Sequence, residues 1–105
     1  MEAYMNNETL TREKVLEELR FLKPVLERQF GVRRLGVFGS IARNEAREDS
    51  DIDVVVELAE PDLFSLVHIK ELLEQDLHHQ VDIISYRERM NTYLKHHIQT
   101  EAIYV

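Results

Sequence analysis

The sequence predicts an α/β (α+β) domain: a small mixed β-sheet backed by helices, in the order α-β-α-β-α-β-α. Three observations carry that expectation. Segments with apolar residues at three- and four-residue spacing alternate with short runs rich in β-branched residues. The 105 residues are enough for one core. No repeat, linker or low-complexity stretch divides them, so residues 1–105 read as a single domain.

The first helix is predicted from Thr11 to Phe30, where Val15, Leu16, Leu19, Leu22, Val25, Leu26 and Phe30 recur between Glu, Arg and Lys. Thr11 suits the N-cap and Glu13 the first turn, while Gly31 suits the C-cap. Pro24 predicts a kink, or two helices meeting there. Val32 to Phe38 reads as a strand broken by Gly39-Ser40, then Ile41 to Ala46 as a short helix and Arg47 to Ser50 as a polar turn. Asp51 to Leu58 is the clearest strand, with Ile52, Val54, Val55 and Val56. Pro61-Asp62 opens a helix whose residues Leu63, Phe64, Leu66, Val67 and Leu73 are expected to face the core. A third strand, Val81 to Ser85, leads to a last helix from Arg87 to about Gln99. The apolar end, Ile98 and Ala102 to Val105, suits either core or interface.

Composition narrows the function. With 44% hydrophobic and 31% charged residues the chain can fill a core and keep a soluble surface. No apolar run reaches the roughly 20 residues that cross a bilayer, and the stretch from Met1 to Leu10, with Glu2 and Glu8, does not read as a signal peptide. The absence of cysteine excludes disulfides, thiolate metal sites and cysteine nucleophiles, and a cytosolic (cytoplasmic) location follows most simply. The formal charge of −7 argues against nucleic acid as a direct substrate, which calls for a basic footprint. It favours a divalent cation or a basic protein partner.

The chemistry concentrates between Gly39 and Asp53. Gly39 and Ser40 stand where a strand hands over to a helix, a place where free N–H groups can cradle phosphate; a Gly-Ser pair alone fits an ordinary turn as well. Asp51 and Asp53, two apart on a predicted strand, face the same way about 6.6 Å apart along it. Asp82 is a third acid at the start of another strand and joins the pair if the strands are neighbours. Strand-end acids facing water are the plain alternative. Gathering three is costly, because like charges about 4 Å apart repel by roughly 4 kcal/mol at an effective dielectric near 20. Bound cations or raised pKa values offset that, and oxygen-only ligation suits Mg²⁺ or Mn²⁺ over zinc. Aspartate is also a poor strand former, so two of them in the best strand cost stability without a function.

Gly39-Ser40, ten residues, then Asp51-x-Asp53 resembles the GSx10DxD signature of the polymerase-β-type nucleotidyltransferase superfamily. With each residue type at roughly 6% usage, chance gives this spacing in so short a chain on the order of one time in a thousand. By size the chain is similar to the minimal nucleotidyltransferases (MNT) from Thr11 to Val105. The resemblance implies that Asp51 and Asp53 hold two divalent ions, that Asp82 helps bind the catalytic metal and takes the acceptor proton, and that Gly39 and Ser40 bind the triphosphate. Arg43 matches an arginine usual in the subfamily, suited to phosphate charge; a solvated arginine pairing with a nearby Glu is its other reading. Asn44 stands where relatives often have Gly, and Asn tolerates a left-handed turn.

The resemblance further implies an antitoxin that transfers AMP from ATP to a HEPN-domain ribonuclease toxin, often on a tyrosine, in a hetero-oligomer with it. Two other functions compete: the catalytic subunit of a small-molecule, aminoglycoside-like nucleotidyltransferase, and a module that masks a toxin by binding alone. His78-His79 and His96-His97 are adjacent pairs whose side chains point apart, against a shared metal. His68 reads as structural, and nothing in the spacing of Tyr4, Tyr86, Tyr93 and Tyr104 singles one out for modification.

Overall fold

The computed structural model describes residues 10–105; Tyr4 and the rest of the N-terminal stretch lie outside them. Helix α1 runs from Arg12 to Phe30. The Thr11 side chain accepts from the Lys14 amide, and Gly31 closes the helix at φ 70° and ψ 32°, a left-handed conformation that glycine adopts freely. Pro24 lies within one continuous helix, which rules out two helices meeting there. Proline removes a single backbone bond, and Leu19 and Leu26 on either side are buried and hold the helix to the sheet.

Strand β1 spans Val32–Phe38, α2 Gly39–Ala42, β2 Ile52–Leu58, α3 Leu63–Leu77, β3 Val81–Ser85, α4 Thr92–Glu101 and β4 Ile103–Tyr104. The sheet order is β3-β2-β1-β4. The β1–β2 and β1–β4 pairs are antiparallel, whereas β2 and β3 are parallel and joined by the crossover helix α3. The mixed α/β architecture is the one expected.

Four boundaries differ from the sequence expectation. β2 begins at Ile52, leaving Asp51 just before it. The short helix begins at Gly39 and ends at Ala42, because Asn44 turns left-handed at φ 62° and breaks it before Ala46. The last helix starts at Thr92 and not Arg87, since Asn91 caps it by accepting from the Leu94 amide at 2.9 Å. The apolar end forms a strand, where the Ile103 and Tyr104 backbone pairs with Val37 and Gly36.

Period-two alternation sends the strand side chains to two faces. Val54, Val56, Leu35 and Val37 enter the main core with Val15, Leu19 and Leu26 of α1 and Ile69 and Leu73 of α3. On the other face Phe38, Val55 and Ile98 form a smaller cluster under α4, flanked by Ile84, Leu94 and Tyr104. The expected core face of α3 is only half right. Leu73 is buried and Leu66 packs at the margin, but Leu63, Phe64 and Val67 are 74%, 76% and 47% exposed. The helix turns Ile69 to the core instead, and Ile69, Leu73 and Leu66 fall on one stripe at three- and four-residue spacing.

Candidate active site

Strand β2 carries Asp53 one position after the buried Ile52, so Asp53 shares the α4 face with Val55. In β3, Asp82 precedes Ile83 and shares that face with Ile84. The parallel register sets Asp53 directly beside Asp82, and Val55 beside Ile84. The condition set by the sequence, that the two strands be neighbours, is therefore met. Asp51 stands two residues before Asp53 and is exposed, as is Asp82, whereas Asp53 is half-buried. Among the described residues no three acids or histidines converge tightly enough to grip an ion as they stand.

Gly39 lies against this group. Antiparallel pairing places Phe38 opposite Asp53, so the next residue passes over the Asp53 side chain. A Cβ built at Gly39 would collide with Asp53 Oδ2, and the backbone there has φ 72°. Both features require glycine. Ser40 follows at the start of α2 and is half-buried. Arg43 closes the turn: its Nε meets Glu45 Oε1 at 3.0 Å and its Nη1 meets Glu101 Oε2 at 3.0 Å. Helix α1 steadies the segment, with Arg12 Nη1 donating to the Ala42 carbonyl at 2.9 Å.

Burial pushes the Asp53 carboxyl up to about 6, and the neighbouring charges of Asp82 and Asp51 push it the same way; Arg43 opposes them. The site thus holds more negative charge than the protein itself neutralises, which favours a bound cation or proton. Arg43 is held above the usual arginine range by Glu45 first, with Glu101 adding to it.

Glu101, the last residue of α4, belongs to this group and was not singled out from the sequence. Its Oε1 accepts from the Gly39 amide at 3.2 Å, and its Oε2 lies 3.4 Å from His97 Nδ1. Sixty-two residues separate Glu101 from Gly39, so no local spacing links them. The histidine pairs have separate surroundings. His78 ends α3 in a left-handed conformation, His79 Nε2 lies 3.2 Å from the Glu48 carbonyl, and His97 Nε2 meets the Tyr93 hydroxyl at 3.1 Å. His68 is exposed beside Phe30, ring centroids 6.2 Å apart.

The family model described as "Polymerase beta, Nucleotidyltransferase" matches residues 21–105. Protein adenylyltransferase MntA of Thermococcus cleftensis is 37% identical over 97 residues, which span 91% of this chain and 97% of that one. A solved structure described as a candidate minimal nucleotidyltransferase is similar at TM-score 0.76 and 36% identity, covering 90% of this chain and 95% of that one. A chain from a complex of tri-AMPylated Shewanella oneidensis HEPN toxin with MNT antitoxin is similar at TM-score 0.66 and 19% identity, covering 90% of this chain and 71% of that one. At that identity the last likeness speaks for the fold.

Proposed function

This chain belongs to the polymerase β nucleotidyltransferase family, and from that premise we propose that it transfers AMP from ATP to a hydroxyl of a partner protein, a tyrosine of a HEPN-domain toxin, as that toxin's antitoxin. One observation carries the catalytic part: Asp53 and Asp82 stand side by side on one sheet face, with Gly39 folded against Asp53. The protein acceptor is supported by the relative named a protein adenylyltransferase. The partner class is supported by the toxin–antitoxin complex that shares the fold.

The residues fit a hard divalent cation, being oxygen donors in an acidic cluster with a carboxyl already pushed up to about 6. Asp51, Asp53 and Asp82 would hold Mg²⁺, as two ions, with Mn²⁺ able to replace it; bound there, the metal would supply charge stabilisation at the reacting phosphate. The Gly39 amide and Ser40 hydroxyl bind phosphate oxygens, and Arg43 offsets triphosphate charge. Asp82, exposed at the sheet end, takes the acceptor proton as the acceptor oxygen bonds to the α-phosphorus. The bond from that phosphorus to the bridging oxygen breaks, and pyrophosphate leaves.

The test is transfer of label from α-labelled ATP in Mg²⁺, with and without a HEPN protein encoded beside this chain. Labelled partner with wild type, and none with Asp51→Asn/Asp53→Asn, is the expected result. Label on an aminoglycoside alone would assign a small-molecule enzyme. Full neutralisation of the toxin by the double variant would assign masking by binding.

A further inference from the structure

We propose that Glu101 is a built-in stand-in for a phosphate group, a carboxylate that occupies the triphosphate's donors and must leave for the nucleotide to bind. This inference rests on the nucleotidyltransferase reading of the site. Two of the groups assigned to the triphosphate are the Gly39 amide and the Arg43 guanidinium, and one carboxylate takes both. Oε1 accepts from Gly39 at 3.2 Å and Oε2 from Arg43 at 3.0 Å. The contact comes from a distant element, since Glu101 ends α4 and lies 58 residues beyond Arg43. The Glu101 side chain is 20% exposed and its bond to Gly39 is part-buried, whereas the Arg43 side chain that it meets is 44% exposed.

An anion suits this position for the reason a phosphate does. It sits on a glycine amide and a guanidinium, and charge-assisted bonds of that kind are the stronger ones. A triphosphate cannot share those donors with it, because two anions would then meet beside three aspartates. The structure also offers the displaced carboxylate a second resting place. His97 Nδ1 already lies 3.4 Å from Oε2 and can keep it once Gly39 and Arg43 are taken. While it stays, Glu101 keeps Gly39 and Arg43 in a phosphate-ready arrangement; nucleotide entry is an exchange of one anion for another.

The test is calorimetric binding of a triphosphate analogue with a non-hydrolysable β–γ bridge, in Mg²⁺, to the full chain as wild type, Glu101→Gln and Glu101→Ala. Glu101→Gln keeps the shape and removes the charge, so it decides the matter even if the alanine variant melts early. The expected result is tighter binding by both variants, about fivefold, in keeping with the modest worth of partly exposed ion pairs. In transfer assays KM for the nucleotide should fall by a similar factor with kcat changed less. A merely structural role predicts the opposite sign, since damage does not tighten binding. Equal or weaker binding by Glu101→Gln, with wild type binding normally, would overturn the stand-in alone. No uptake of the analogue by any of the three proteins would overturn the nucleotidyltransferase reading and the stand-in with it.

Discussion

At the scale of single residues, Asp53 is predicted to set stability against the proposed activity. Its pKa in the fold, about 6, lies above that of an unfolded aspartate near 4. Protonation therefore favours the folded state: that contribution is full below about pH 4 and is lost as pH rises through about 6. Asp53→Asn should then stabilise the fold at pH 8, by on the order of 1 kcal/mol once solvent screening of this half-exposed group is allowed for, and the gain should vanish below pH 4. Transfer should meanwhile fall by at least about a hundredfold; thermal melts across pH and the label assay read the two effects. Gly39→Ala is expected to lose in both, since its Cβ meets Asp53 and its φ is positive, with a penalty of about 1–3 kcal/mol in denaturant titration. Asp51 and Asp53 could be picked out because their spacing lies within one strand and the turn before it, and Asp82 because it opens a second strand, which the sheet register sets beside the first. Glu101 could not, because only the packing of α4 against α2 brings it to Gly39.

Among elements, helix α4 is held by the smaller of the two apolar clusters. Among the described residues that cluster contains three buried side chains, Phe38, Val55 and Ile98, against sixteen in the core beneath α1 and α3. Amide hydrogens of α4 should exchange faster than those of α1 and β2 in native-state exchange, because opening the smaller cluster exposes less apolar surface. Asn91→Ala removes the cap that starts α4 and should cost about 1 kcal/mol, with the exchange of α4 amides rising most. β1 and β3 were read to the residue: Gly31 and Gly39 bound the first, and Val81, Ile83 and Ile84 mark the second. The start of α4 was set too early because Arg87 to Met90 look helix-compatible, and only the Asn91 side chain shows where the helix begins. The exposed Leu63, Phe64 and Val67 defeat the rule that apolar helix residues face inward.

For the whole molecule, charge and connectivity are the governing features. A chain of formal charge −7 that gathers aspartates at one sheet end should be stabilised by Mg²⁺. At ten times its Kd the metal should contribute about 1.4 kcal/mol and raise the melting temperature by roughly 6 °C, while Asp51→Asn/Asp53→Asn should show almost no shift. That β2 and β3 be neighbours was the condition for Asp82 to join the pair; their parallel direction comes from the structure. The β4 edge was not foreseeable, because a two-residue strand leaves no periodicity to read. That late strand has a mechanical consequence. The three aspartates lie within residues 39–82, whereas α4 is tied over their sheet face by the pairing of Ile103 and Tyr104 with β1. Pulling β4 off the sheet edge would therefore loosen the cover of that face while leaving every aspartate in place.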